Sequence, residues 1–72
     1  MRIQVACNDG HPSALYLGSR RLHVLRVIER TGEGSTQCFR VKVADGRVFL
    51  LNRELASGDW RLASVKRNAK NP

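Results

Sequence analysis

Residues 39–51 decide the fold of this chain, and they read Phe39-Arg40-Val41-Lys42-Val43-Ala44-Asp45-Gly46-Arg47-Val48-Phe49-Leu50-Leu51. Their first half alternates apolar and basic side chains, which is typical of a β-strand with one buried face. Asp-Gly then indicates a hairpin turn. A two-residue turn would put apolar residues of the second strand on the basic face of the first, whereas a three-residue loop places Val41 opposite Phe49. The second register buries more apolar surface, so we predict it, with Gly46 left-handed.

Three further strands are predicted upstream of this hairpin. The alternation of apolar residues favours strands at Arg2–Cys7, with the Cys7 side chain facing inward, and at Ser13–Leu17. Residues Arg20–Arg30 could also form a short amphipathic helix, but they lack a Ser-x-x-Glu capping pair and are rich in β-branched residues. We therefore predict a strand whose inward phase switches near Leu25, and such a switch requires a β-bulge or a bend.

Turn residues and the last apolar alternation indicate the remaining segments. Thr31–Gln37 contains no core residue, so we expect a mobile loop there. Residues 52–58 are expected to form a short irregular or 3₁₀ segment with Leu55 turned inward. Trp60 begins a last strand, which should end before Val65 because that residue falls outside the inward phase.

Together these patterns predict an all-β chain. Five or six short strands in about 65 residues fit a small antiparallel SH3-like barrel better than an immunoglobulin-type sandwich, which needs about seven strands in ~100 residues. We therefore predict a single β-barrel domain over residues 1–65. Residues 66–72 are polar and are expected to form a disordered tail.

Length and charge narrow the functional classes. The chain has 72 residues, with 13 Lys and Arg against 6 Asp and Glu, and a formal net charge of +7. This length excludes a two-domain enzyme and leaves little room for a deep, dry catalytic pocket. No apolar run is long enough for a membrane span or a signal peptide. We therefore expect a cytoplasmic protein with free thiols at Cys7 and Cys38.

Few residue types that support catalysis or metal binding are present. The soft metal ligands are two cysteines and two histidines, namely Cys7, His11, His23 and Cys38. Their spacing matches no zinc-binding motif. A nucleophilic cysteine would need a base and oxyanion-binding donors, and no motif here indicates them. We expect no enzyme activity, no catalytic residue, no metal, no cofactor and no small-molecule substrate.

Basic side chains are the strongest remaining feature. Arg40, Lys42 and Arg61 alternate with core residues, so we expect them on the outer face of one sheet region, where a cationic patch attracts phosphate. A merely solvated face that keeps sheet edges unpaired would show the same pattern. Tyr16 falls out of phase with its apolar neighbours and is the aromatic residue expected to face solvent and stack. The candidate nucleic-acid-binding residues are Arg40, Lys42, Arg61, Arg20, Arg21 and Tyr16.

The run Cys38–Leu62 resembles a family of short bacterial proteins that form a domain of unknown function. The shared pattern is a strand of alternating Phe and Val, Asp-Gly, a second strand, Arg-Glu-Leu, glycine and a Trp-x-Leu strand. Asp9-Gly10-His11-Pro12 is similar to that family's first hairpin. Thr31 departs from the pattern, since those proteins often carry an aromatic residue there, which argues against stacking at that edge. The resemblance implies the fold, and some members resemble accessory pieces associated with DNA-repair polymerases.

Two functional hypotheses follow from charge and fold. The first is a small, basic, non-enzymatic module that associates with DNA or RNA through the cationic outer face of its sheet. The alternative is a protein–protein interaction adaptor, whose barrel edge or loops dock a partner while its basic residues only steer an acidic surface. Salt-dependent binding to nucleic acid would favour the first hypothesis, and a stoichiometric protein partner that survives nuclease treatment would favour the second.

Overall fold

Six antiparallel β-strands form a closed barrel in the computed structural model, which describes residues 1–67. Each strand pairs with the next one along the chain, and β1 also pairs with β6. The strands are β1 (Arg2–Asn8), β2 (His11–Leu17), β3 (Arg20–Glu33), β4 (Thr36–Val43), β5 (Val48–Glu54) and β6 (Trp60–Lys66). No helix occurs in this part of the chain. The all-β prediction is confirmed, and the barrel is consistent with the small SH3-like type.

The β4–β5 hairpin adopts the predicted register. Val41 lies opposite Phe49. The backbone N–H of Val43 donates to the carbonyl of Arg47 at 3.0 Å, so three residues form the connecting loop. Gly46 has a φ of 93°, which is a left-handed conformation that favours glycine. Alternation and turn chemistry therefore sufficed to define this hairpin.

Strand β3 is a strand and not a helix, as predicted, and it contains two bulges. Its ladder to β4 shifts twice, so that Leu25 and Ile28 have no partner on β4. Their side chains are 55% and 40% exposed. Between them Val27 returns to the inward face opposite Val41. The phase switch expected near Leu25 is therefore confirmed, and a second bulge follows it.

The predicted mobile loop over residues 31–37 is wrong. β3 continues to Glu33 and β4 begins at Thr36, and these two residues pair with each other. Gly34 and Ser35 therefore form a two-residue turn, and the φ of 61° at Gly34 suits the first position of a type II′ turn. This end of the hairpin extends beyond the core, so both of its faces are polar and its composition resembles that of a loop.

The predicted end of the last strand is also wrong. The ladder between β5 and β6 leaves Ala63 without a partner, and this bulge switches the inward phase. Val65 therefore lies opposite Phe49 and belongs to the strand. Lys66, the first residue of the predicted tail, is the last residue of β6. Residues 68–72 of that tail lie outside the described residues.

Two side chains expected to face the core are exposed. Leu55 is exposed because β5 continues to Glu54 and Leu55 lies in the turn that follows. Cys7 is exposed because the ladder between β1 and β2 shifts after Ala6, which breaks the alternation near the strand end. Both residues lie beyond the point at which simple alternation along the strand holds.

The barrel interior is a single apolar core. Its largest fully buried side chains are Phe39, Phe49, Leu15, Leu51, Val41 and Val43. The rings of Phe39 and Trp60 pack with centroids 5.2 Å apart and an interplanar angle of 46°. Such tilted aromatic pairs contribute roughly 0.5–1.5 kcal/mol beyond the burial of their area. No polar side chain of the described residues belongs to the buried class.

Candidate nucleic-acid interface

The outward-facing residues of β3 to β6 form rows that cross the strands. One row contains Arg26 on β3, Lys42 on β4, Val48 on β5 and Lys66 on β6. Because adjacent strands lie about 4.8 Å apart, the three cations of this row fall within about 15 Å. Arg40 lies in the next row, on the same face as Lys42. We refer to Arg26, Arg40, Lys42 and Lys66 as the cationic face.

Arg40 is the member of the cationic face that has an ion-pair partner. It lies opposite Glu29 on β3, and its guanidinium nitrogen is 3.2 Å from the Glu29 carboxylate. Both side chains are about half exposed, and exposed pairs of this kind contribute at most about 1 kcal/mol. Arg40 therefore remains able to exchange Glu29 for an external anion.

The other three cations of the face are not neutralised within the described part of the chain. Among residues 1–67, no carboxylate lies within ion-pair distance of Arg26, Lys42 or Lys66. Moreover, Arg26 lies directly opposite Lys42. Like charges at such positions destabilise a sheet by roughly 0.2–1 kcal/mol. An external polyanion would relieve this repulsion.

A small depression lies within the cationic face. Its volume is about 50 Å³, and it is lined by Arg40, Val48, Leu50, Ser64 and Lys66. Two cationic side chains and one hydroxyl therefore border the same concavity. These are hydrogen-bond donors that suit a phosphate oxygen.

Arg61, a predicted site residue, is on the same outer surface but in a separate row. It lies opposite Asn52 on β5 and opposite Arg2 on β1. Arg2 also contacts Asp59, with its guanidinium nitrogen 2.9 Å from the carboxylate oxygen. The hydrogen bond from Arg2 lowers the pKa of the Asp59 carboxyl, and the positive charge of Arg2 adds to this effect. Arg61 is therefore a peripheral member of the predicted cluster.

The predicted residues of the β2–β3 hairpin belong to none of the rows that form the cationic face. Tyr16 is opposite Arg21, close to the turn that joins β2 and β3. The neighbouring Arg20 is close enough to Asp45, in the β4–β5 loop, for its charge to affect that carboxyl. The pKa of Asp45 is lowered, chiefly by the hydrogen bond from the Arg47 side chain and to a smaller extent by Arg20. Of the six predicted residues, Arg40 and Lys42 therefore belong to the cationic face and Arg61 to a separate row, and the other three lie in the β2–β3 hairpin.

Aromatic side chains are nearly all inside the barrel. Phe39, Phe49 and Trp60 are buried. Tyr16 has its strand neighbours on the outer surface, but its side chain is half-buried and not fully exposed as predicted. The chain contains no other aromatic residue. The cationic face consequently has no aromatic platform on which a base could stack.

Arg26 and Lys66 were missed as site residues. The predicted phase switch near Leu25, followed by an inward Val27, would have placed Arg26 outward. The predicted tail includes Lys66 because nothing in the sequence around Ala63 indicates a bulge. The register of β6 on β5, which the sequence does not reveal, places Lys66 in the same row as Lys42.

Other kinds of site have less support in the described residues. No group of three His, Cys, Asp or Glu side chains in residues 1–67 is arranged to hold a metal ion. Cys7 and Cys38 are free thiols. No helix of residues 1–67 is long and apolar enough to cross a membrane.

The fold and this surface define a small antiparallel β-barrel with a cationic outer sheet face. No protein-family model, curated protein or solved structure matches the chain. The resemblance to short bacterial proteins therefore stays a prediction, as does the cytoplasmic location.

Proposed function

We propose that this protein is a non-enzymatic module that binds the phosphate backbone of double-stranded nucleic acid through its cationic face. One observation carries the proposal. Arg26, Lys42 and Lys66 share a row across the sheet, and no carboxylate of the described residues neutralises them. Phosphates would supply the missing negative charge, and their neutralisation would release counterions. Of the residues predicted from sequence, the proposal retains Arg40 and Lys42 as primary contacts.

A duplex suits this face better than a single strand. Proteins that bind single strands stack bases on exposed aromatic side chains. Here three of the four aromatic residues are buried, and the half-buried Tyr16 lies on β2, which contributes no residue to the cationic face. Contacts of arginine and lysine with phosphates position a duplex without selecting its sequence. We therefore expect binding that depends on shape and charge and only weakly on sequence.

Fluorescence anisotropy with labelled DNA duplex, RNA duplex and single strands, at several salt concentrations, tests the proposal. Each neutralised phosphate contributes about −0.9 to the slope of log K against log salt, so four contacts predict a slope of about −3.6. Duplex should bind more tightly than single strands of the same length. Comparing the two duplexes distinguishes DNA from RNA as the preferred target. A failure of every probe to bind at low salt would overturn the proposal.

Two double variants, each of which removes two positive charges, locate the interface. In the Lys42→Gln/Lys66→Gln variant the slope of log K against log salt should become less steep by about 2, since each lysine contacts one phosphate. The Arg20→Gln/Arg21→Gln variant has the same net charge and should keep the original slope. Equal losses in the two variants would show that overall charge, and not the cationic face, drives binding. Near-ultraviolet circular dichroism of Trp60 checks that both variants are folded.

The adaptor hypothesis predicts a different result in the same titration. An acidic protein that uses the cationic face would compete with nucleic acid, and its binding would also weaken with salt. If no nucleic acid binds at low salt and an acidic protein does, the adaptor hypothesis replaces the proposal. The cationic face would then steer a protein partner.

A further inference from the structure

The seam that closes the barrel is short. β1 pairs with β6 only through Arg2 opposite Arg61 and Ile3 opposite Trp60. Within residues 1–67, β1 is paired on one side only from Gln4 onward, with β2. The backbone of this segment therefore has a free edge, where unpaired donors and acceptors are available to a further strand.

There is space beside this free edge. A depression of about 490 Å³ lies where the β1–β6 ladder stops, and its lining includes Gln4, Val5 and Gly58–Trp60. It thus runs along the backbone of β1, on the side that β2 does not occupy. Strand addition to a sheet edge combines backbone hydrogen bonds with a pocket that receives alternate side chains.

The second open edge of the barrel is protected, and that of β1 is not. β3 pairs with β2 only up to His23, so among the described residues its remainder has a partner strand on one side, namely β4. That part contains bulges at Leu25 and Ile28 and the charged residues Arg26, Glu29 and Arg30. These features hinder edge pairing. By contrast, the segment 4–8 of β1 has no charged residue and no proline. Its register with β2 is regular through Ala6.

Charges around the depression favour an acidic occupant. Arg2 is 72% exposed and faces Arg61 across the seam. The guanidinium of Arg53 lies over the ring of Trp60, 5.4 Å from its centroid. Arg2 and Asp59 are the charged residues that line the depression, and they bind each other. Arg53 and Arg61 have no ion-pair partner among residues 1–67, and they provide the excess positive charge beside it. An incoming segment with acidic residues would therefore reduce the excess positive charge.

We propose that the open edge of β1, beside Gln4–Ala6, binds an extended peptide segment of alternating acidic and apolar residues by strand addition. The apolar side chains enter the depression next to Val5 and Trp60, and the acidic side chains reach Arg2 and Arg61. This site is separate from the cationic face. A protein with both sites could connect a duplex to a protein that carries such a segment.

Amide chemical shifts measured by NMR test this site directly. The probe is a blocked synthetic peptide of alternating Glu and Val. It should shift the amides of residues 4–6 and 58–60 and leave Lys42 and Lys66 unchanged. The same peptide with Lys in place of Glu, or with central prolines that remove backbone donors, should not bind. Binding of the Lys peptide at equal affinity, or shifts confined to the cationic face, would overturn the proposal, as would the absence of any shift at millimolar Glu–Val peptide.

Charge reversals on the two strand edges distinguish binding of the peptide at the β1 edge from a general attraction to the positive charge of the protein. Arg2→Glu should weaken binding of the Glu–Val peptide about tenfold, because the new carboxylate would repel the acidic side chains of the peptide. Arg30→Glu makes the same change in net charge on the protected β3 edge and should change affinity less than about twofold. Equal weakening by the two variants would contradict the proposal.

Two further variants keep the test valid if Arg2→Glu does not fold. Arg61→Gln leaves the contact between Arg2 and Asp59 in place and should weaken binding of the peptide about threefold. Lys42→Gln/Lys66→Gln should bind the peptide as the wild type does. If the peptide loses affinity in the double lysine variant and not in Arg61→Gln, the β1 edge is not the site.

Discussion

The side chain of Arg2 connects the first strand to the segment that leads into the last one. Its guanidinium binds the Asp59 carboxylate at 2.9 Å. The backbone N–H of Asp59 also donates to the hydroxyl of Ser57 at 3.3 Å. The hydrogen bond from Arg2 holds the pKa of Asp59 below its ordinary value. The contact between Arg2 and Asp59 thus adds to the backbone hydrogen bonds with Glu54 that hold residues 58–59 beside the barrel seam.

Removal of this contact should change the titration of one carboxyl selectively. In Arg2→Gln the pKa of Asp59 should rise towards its ordinary value, whereas the pKa of Asp45, held low by Arg47, should stay unchanged. Because the folded pKa of Asp59 is depressed, the pair stabilises the protein above the ordinary pKa of an aspartate. That stabilisation is lost as the pH falls through the depressed pKa. Carboxyl carbon NMR titrations of both proteins measure these shifts, and equal shifts at Asp59 and Asp45 would contradict the assignment.

At the scale of elements, the hairpins show what the sequence could predict. The β4–β5 hairpin was predictable because one face is core and the other is solvent, so alternation and Asp45-Gly46 determine its register. The β3–β4 hairpin was not, because its outer half projects past the core. There, both faces of Thr31–Glu33 are exposed and polar. A strand with two solvated faces has no alternation that distinguishes it from a loop.

Bulges explain the errors in the remaining strands. An extra residue such as Ala63 reverses the faces of everything after it. Val65 therefore shares the face of Phe49, although it is 42% exposed, and Lys66 shares the face of Val48. The residue type does not reveal the bulge, since glycine, and not alanine, is the residue that often marks one. Leu25 was different because its apolar neighbours on both sides demanded a change of phase. Sequence therefore indicates a bulge only where core residues flank it closely.

The β3–β4 turn offers a stability test with an internal control. Gly34 has a φ of 61° and no neighbouring atom within 4 Å of an added Cβ, so Gly34→Ala should cost about 1–2 kcal/mol through backbone strain alone. Gly32, in the same hairpin, does not have a positive φ and has only an ordinary contact with the Thr36 carbonyl at 3.9 Å. Gly32→Ala should therefore be neutral or stabilise the protein by up to about 1 kcal/mol.

Urea unfolding followed by tryptophan fluorescence gives the free energy of unfolding of both glycine variants. Their m-values should match that of the wild type if the denatured states are alike. If Gly34→Ala proves as stable as Gly32→Ala, the two-residue turn is incorrect. A mobile loop, as the sequence suggested, would tolerate both substitutions equally.

At the scale of the whole molecule, the net charge of +7 is unevenly placed. The alternation along β4 alone predicts that Arg40 and Lys42 face outward, because this inference requires no knowledge of the neighbouring strands. The row that joins Arg26, Lys42 and Lys66 depends on the registers of three strand pairs, two of them with bulges. The fold class was therefore predictable, whereas the arrangement of charges into a surface was not.

Repulsion within this row should be measurable in the free protein. Added sodium chloride screens like charges, so it should raise the free energy of unfolding of the wild type. The gain should be smaller in Lys42→Gln/Lys66→Gln than in Arg20→Gln/Arg21→Gln, although the two variants have equal net charge. Thermal unfolding at low and moderate salt checks this expectation. An equal salt dependence in the two variants would mean that the row is no more repulsive than the rest of the surface.

The short seam between β1 and β6 also bears on the order of folding events. Each hairpin joins residues that are close in the chain, whereas Arg2 and Asp59 are 57 positions apart. Loops of this length close late, after the local hairpins have formed. Contacts at Ile3 and Trp60 should then be largely absent from the folding transition state. Strengthening them would slow unfolding while leaving the folding rate almost unchanged, so the seam sets the lifetime of the closed barrel.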